Sequence, residues 1–253
     1  MKISLFQYAP EWENKTANKE KILSLLKKKS ELGKILVFPE MTLTGFTMSV
    51  TTMAEKLIGD TVTFFSGIAK CYNTNLFASV IEKDGKNYFN TLVYLNPSGM
   101  LKAKYRKIHP FAYSNENKYY KGGKLPIVIN LSGIKIGLSI CYDLRFPELF
   151  RLYAKEKVDL IINIANWPDT RIDHWRTLLK ARAIENQCYV AGVNRVGNDT
   201  KLHYNGFTSL FDPMGREIIS LKDKEKILTA EIDKNYVREV RKTLPFLNDM
   251  RLI

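Results

Sequence analysis

GIKIGLSICYDLRFPELF, Gly133 to Phe150, is the stretch that decides how this chain is read. A mostly apolar run from Ile134 to Ile140 has the composition of a buried strand. It stops at Cys141, and the chain turns polar at Tyr142, Asp143 and Arg145 before Phe-Pro-Glu-Leu-Phe opens a helix. A thiol in mid-strand is ordinary packing. A thiol at the carboxyl end of a strand, ahead of a helix, stands where layered α/β proteins gather their ligands.

Two other segments repeat this design. In ILVFPEMTLTGF a short, wholly apolar strand, Ile35 to Phe38, runs into Glu40, and in LKAKYRKIHPF a strand from Leu101 ends at Lys107. If these strand ends meet, they join a carboxylate, an ammonium and a thiol. That set can do acyl transfer. A thiol needs a base or an electropositive setting to become a good nucleophile. A carboxylate can take its proton and return it to a leaving amine. An ammonium, with the backbone N–H of Tyr142 just past the thiol, can stabilise the oxyanion.

Outward from these segments, strands and helices alternate. Lys2 to Tyr8 reads as a strand and Ala17 to Leu32 as a helix, its apolar face carrying Ile22, Leu23, Leu25 and Leu26 and its end marked by Gly33. A helix is expected near Thr61 to Tyr72. Leu76 to Glu82 and Tyr88 to Leu95 read as a hairpin around Asp84-Gly85, and Asn96-Pro97-Ser98-Gly99 as a further turn. The segment from Ile108 to Lys124 lacks periodicity, and a loop that long is often functional. Ile127 to Leu131 pairs with Ile134 to Ile140 across Ser132-Gly133. A helix to about Lys157, a strand from Val158 to Ala165, a helix from Asp173 to Gln187 and a strand from Cys188 to Arg195 follow. Gly206 to Phe211, Glu217 to Leu221 and Ile227 to Ile232 suggest a closing meander, and Tyr236 to Ile253 a short helix with an irregular end. The pattern predicts an α/β layered fold with mixed sheets, in one domain over residues 1–253.

Bulk properties narrow the function classes. The chain has 253 residues, 45% hydrophobic, enough for one large core. No apolar run approaches a membrane span, and MKISLFQYAPEW lacks the features of a signal peptide, so a cytoplasmic protein without a membrane role is expected. Cys71, Cys141 and Cys188 are few and widely spaced, which suggests neither a disulfide framework nor a zinc site. Cys71 is expected to pack at a helix end and Cys188 in the core. The net charge of +13 raises nucleic-acid binding. However, the lysines are scattered and no nucleic-acid-binding motif accompanies them, so a solvated surface without a specific nucleic-acid partner is expected.

The three segments together resemble the nitrilase superfamily of carbon–nitrogen hydrolases. FPEMTLTGF is similar to the family's glutamate motif, YRKIHPF to its lysine motif and ICYDLRFPE to its nucleophile motif. The resemblance implies Glu40 as base, Lys107 as catalytic lysine and Cys141 as nucleophile. NENKYYKGG resembles the loop that carries a second glutamate and implies Glu116 as a support for the other two. A solvated loop carboxylate is the alternative reading of Glu116. ANWP at 165–168, HWRTLLKARAIENQCYVAGVNRVG at 174–197, HYNG at 203–206 and DPMG at 212–215 extend the likeness over nearly the whole chain.

The resemblance implies a four-layer αββα sandwich, a homodimer joined through helical faces, and neither cofactor nor metal. CYDLRFPE, ANWP and ARAIENQ are most similar to the omega-amidase branch, whose members cleave the terminal amide of dicarboxylate monoamides such as 2-oxoglutaramate and succinamate. Tyr142, Arg145, Asn166 and Trp167 are then expected around the substrate. Arg145 would take its distal carboxylate as a guanidinium fork, or instead pair along the helix with Glu148. Deaminated-glutathione amidases, carbamoyl amino acid hydrolases and nitrilases share much of this pattern. A non-enzymatic binding protein on the same fold is the alternative from another class.

Overall fold

A computed structural model describes residues 1–252. The first half holds β1 (Lys2–Gln7), α1 (Lys15–Lys27), β2 (Ile35–Val37), α2 (Val50–Met53), α3 (Asp60–Cys71), β3 (Asn75–Asp84), β4 (Asn87–Leu95) and β5 (Leu101–Arg106), and α4 (Glu116–Tyr119) lies in the long loop. The second half holds β6 (Val128–Leu131), β7 (Ile134–Ile140), α5 (Pro147–Lys155), β8 (Leu160–Ile164), α6 (Ile172–Asn186), β9 (Tyr189–Val193), β10 (Val196–Asn198), β11 (His203–Phe211), β12 (Glu217–Lys222), β13 (Lys226–Glu231) and α7 (Lys234–Thr243).

Two mixed sheets result. The six-stranded sheet has the order β13-β1-β2-β3-β4-β5. The seven-stranded sheet runs β10-β11-β9-β8-β7-β6, with β12 beside β11. Side-chain alternation assigns the faces. From the first sheet, Ile3, Leu5, Ile35, Val37, Phe77 and Leu92 point inward against Ile136, Leu138, Leu160 and Ile162 of the second, forming the inter-sheet core. The intervening Phe6, Leu36, Leu76 and Ala78 face outward to Ile22 and Leu26 of α1 and Val62, Phe65 and Ile68 of α3. On the other side α5 and α6 cover the second sheet, and Gly192 admits Trp175 and Leu179 of α6 so closely that an added Cβ would lie 2.3 Å from Leu179. This is the expected αββα sandwich. No helix among the described residues is long and apolar enough to cross a membrane.

Several local expectations need correcting. α1 ends at Lys27, short of Gly33, and Leu23 is exposed. Gly33 instead lets the backbone close on β1, since a Cβ there would meet the Lys2 carbonyl oxygen at 2.6 Å. The helix expected directly after Cys141 is interrupted. A 3-10 turn spans Cys141–Arg145 and Phe146 is extended, as the residue before a proline prefers. Pro147 then opens α5, where its missing N–H costs nothing. The closing meander does not form. β11 and β12 pair, but β13 leaves them and runs antiparallel to β1, Leu5 opposite Leu228, closing an edge of the other sheet. Alternation marks β13 as a strand without naming its partner. Cys188 is buried, whereas Cys71 is exposed at the end of α3. In the tail, a 3-10 turn at Phe246–Asp249 follows α7, and Ile253 lies outside the described residues.

Part of the basic charge has a structural use. Lys135 Nζ donates to the Glu156 carbonyl at 2.9 Å, and Arg241 donates to those of Val158 (2.6 Å) and Asn186 (3.3 Å). Both cations serve the negative ends of α5 and α6, where unpaired carbonyls concentrate.

Candidate active site

The carboxyl ends of β2, β5, β7 and β8 deliver Glu40, Lys107, Cys141 and Asn166, so both sheets contribute to one site at their common edge. Glu40 follows Phe38-Pro39, and Met41 behind it takes a positive φ of 44° that turns the chain away. Cys141 itself has a φ of 47°. For a residue with a Cβ that conformation costs about 1–3 kcal/mol and persists where the surroundings over-determine it. It bends the chain sharply at the thiol.

The polar cluster is buried and dense. Glu40, Lys107 and Glu116 are each buried, at 1%, 1% and 0% exposure. Lys107 Nζ lies 2.9 Å from Glu40 Oε1, and 2.8 and 3.2 Å from the two oxygens of Glu116. Glu116 is therefore no solvated loop carboxylate. It opens α4 and also accepts the Phe111 N–H at 2.5 Å. Asn90 of β4 donates to both carboxylates, at 2.7 Å to Glu40 and 3.1 Å to Glu116. Asn166 holds Glu40 from the other sheet, through its backbone N–H to Oε2 (2.9 Å) and its amide to the Glu40 carbonyl (2.7 Å). Tyr120, in the same loop, is buried and donates to the Thr47 carbonyl at 2.6 Å, while Tyr119 is exposed.

Electrostatics follow from this packing. Burial alone would discharge Lys107, but Glu116 and Glu40 outweigh it and hold its pKa well above the ordinary lysine value. Burial raises Glu116, against the lowering effect of Lys107 and with Glu40 adding to the rise. Burial, then the Glu40 carboxylate, push the Cys141 thiol well up, with Lys107 opposing them. Burial therefore favours the protonated thiol. Its Sγ lies 3.9 Å from the Asn166 carbonyl.

Cys141 and Lys107 open onto a cavity of about 450 Å³. Tyr142, Arg145, Asn166 and Trp167 all line it, so every residue predicted around the substrate is at the site. The Tyr142 N–H belongs to the first turn of the 3-10 segment, whose amides have no partner within the turn. Arg145 does not pair with Glu148. Its guanidinium lies 4.8 Å from the Trp167 ring centre and 3.2 Å from His174 Nδ1. Neither Arg145 nor Arg171, which also lines the cavity, has a carboxylate partner among the described residues. The acids of the wall are engaged elsewhere. Asp199 accepts from the Tyr204 hydroxyl at 2.6 Å and from two backbone N–H groups at 2.7 Å, and Glu13 accepts from Thr47.

Sequence reasoning missed Asn90, the hold of Asn166 on Glu40, and the cavity walls from Trp12, from Phe46 to Ser49 and from Asp199 to Leu202. Asn90 had a signal, an amide inside an apolar strand with no water to satisfy it. The walls had none.

A family model described as carbon-nitrogen hydrolase matches residues 2–242. The chain belongs to the carbon–nitrogen hydrolase family. Among its relatives, a 2-oxoglutaramate amidase of Bacillus subtilis is 32% identical over 251 residues, covering 98% of this chain and 97% of that protein. The omega-amidase YafV of Escherichia coli is 36% identical over 220 residues, covering 85% of this chain and 83% of that one. Among solved structures, the carbon–nitrogen hydrolase superfamily protein XC1258 of Xanthomonas campestris, which carries an arsenic adduct in its active site, superposes with a TM-score of 0.93. It is 31% identical, with 100% of this chain and 98% of that one covered.

Proposed function

We propose that this carbon–nitrogen hydrolase is a thiol amidohydrolase, an omega-amidase acting on short dicarboxylate monoamides such as 2-oxoglutaramate and succinamate. The observation that carries the reading is the juxtaposition, on one cavity, of the Cys141 thiol backed by Glu40 and Lys107 with arginines that have no carboxylate partner. The first set does chemistry on an amide, and the second suits a carboxylate at the far end of the same small molecule. The names of the relatives support the same substrate class.

In this mechanism Arg145 grips the distal carboxylate and sets the amide carbonyl against Sγ. Glu40 takes the thiol proton as sulfur adds to the carbonyl carbon, so the thiolate forms only when it is used. The oxyanion is met by Lys107 and the Tyr142 N–H. Collapse breaks the C–N bond, Glu40 returns its proton to the nitrogen, and ammonia leaves a thioester on Cys141. Water then loses a proton to Glu40 and adds to the thioester. Loss of the thiolate releases the free acid, and sulfur recovers the proton. Glu116 and Asn90 keep Lys107 charged and Glu40 oriented through both halves. Asn166 orients Glu40 while facing the substrate, and Trp167 supports Arg145.

The proposal takes residues 1–253 as one domain. It includes a homodimer through α5 and α6, where the exposed Leu152 and Ile184 give an apolar face to cover, and a cytoplasmic setting, which suits free thiols. Ammonia release from 2-oxoglutaramate and succinamate tests the activity. Wild type should turn both over, and Cys141→Ala should be inactive with an unchanged circular dichroism spectrum. A fully active Cys141→Ala protein would end this mechanism.

A further inference from the structure

We propose that Asp143 is a positioning residue whose single buried carboxylate sets the Lys107 strand end in register with the Cys141 turn. The inference rests on the amidase reading of Glu40, Lys107 and Cys141. Asp143 is fully buried, and its carboxylate receives four donors. Oδ2 accepts the Ile140 N–H at 2.9 Å and the Tyr105 hydroxyl at 2.7 Å. Oδ1 accepts the His109 N–H at 3.0 Å and faces His109 Nδ1 at 2.7 Å.

The donors come from the right places. Tyr105 and His109 stand two residues before and two residues after Lys107, and Ile140 immediately precedes Cys141. One side chain therefore spans the two halves of the mechanism, which arise from different sheets. The Ile140 bond resembles the returning half of a capping box and closes the 3-10 turn on itself. That bond helps over-determine the positive φ at Cys141.

The partners also fit a carboxylate and not an amide. All are donors, and an ionised carboxylate is acceptor-only. Tyr105 is kept protonated by burial and by Asp143 itself. His109 must carry its proton on Nδ1 to donate, a tautomer its partner selects. Its ring stacks on Phe146 at 3.8 Å between centres, so the lysine loop is pressed on the cysteine turn from both sides. An asparagine in place of Asp143 would turn its NH2 toward a backbone N–H whichever way it flipped, that of Ile140 or that of His109.

The test compares wild type, Asp143→Asn, Tyr105→Phe and the double variant. One readout is kcat and KM for succinamate. The other is the pH profile of Cys141 carboxamidomethylation by iodoacetamide, located by peptide mass. Misplacing reacting groups by about 1 Å costs roughly 10²-fold, so Asp143→Asn should lose about that much kcat with KM within about threefold. Its alkylation profile should shift, because the thiol no longer sits at the same distance from Lys107 and Glu40. Tyr105→Phe removes one donor without changing shape and should lose about tenfold, with the double variant no worse than Asp143→Asn alone, as expected for shared partners. A folded Asp143→Asn enzyme with wild-type kcat, or one whose activity falls only with its folded fraction while the alkylation profile stays put, would overturn the proposal. If Asp143→Asn does not fold, Tyr105→Phe decides by the same readouts. Loss of the amidase reading would show separately, as ammonia release by Cys141→Ala.

Discussion

Replacing Lys107 by methionine keeps the unbranched stem, one atom shorter, and removes the charge. Three hydrogen bonds go, those of 2.9 Å to Glu40 and of 2.8 and 3.2 Å to Glu116. Two buried carboxylates are left sharing the Asn90 amide. Removing one partner of a buried ion pair costs about 3–5 kcal/mol, because the stranded charge has no water. The cost should depend on pH, and the structure sets the sign. Glu116 already titrates high through burial, with Lys107 the opposing influence. Without Lys107, which lowers it, Glu116 takes up a proton at a folded-state pKa further above the unfolded one. Stability from that proton is complete below the unfolded pKa and is lost as pH rises through the folded pKa. Between the two values the gap between variant and wild type should widen by up to about 1.4 kcal/mol per pH unit. Urea unfolding of both proteins at pH 5.5 and pH 8 reads this directly, with the larger loss expected at pH 8. An equal loss at both pH values, or one larger at pH 5.5, would refute the idea that Lys107 offsets the charge of Glu116.

Arg145→Ala should raise KM for succinamate by about 10–100-fold, the worth of a charged hydrogen-bonded contact of about 1.5–3 kcal/mol, and leave KM for an uncharged amide such as propionamide nearly unchanged. Equal effects on both would place the carboxylate elsewhere. Gly192→Ala should destabilise by about 1–3 kcal/mol in urea through overpacking, because the new Cβ meets Leu179 at 2.3 Å and Trp175 at 2.7 Å. A neutral result would mean that α6 can shift freely off the second sheet.

Much of this protein was legible from its order of residues. Ile35 to Val37 and Leu160 to Ile162 are apolar at every position, which is what a strand covered on both faces requires. Glu40, Lys107 and Cys141 each follow the end of a strand, and motif and chemistry pointed to one site. These signals are local, since a strand's burial and its terminus are written in a few neighbouring residues. Tertiary structure alone decided what lies far apart in the chain. Asn166 reaches Glu40 across 126 residues, and β13 joins β1 at the opposite end of the sequence. Asp143 was visible only as a polar residue after the cysteine, yet burial makes it the acceptor for Tyr105, His109 and Ile140. Composition can announce a carboxylate or a strand. The donor that will face it is chosen by how two sheets pack, because a buried polar group takes whichever partner that packing brings within about 3 Å.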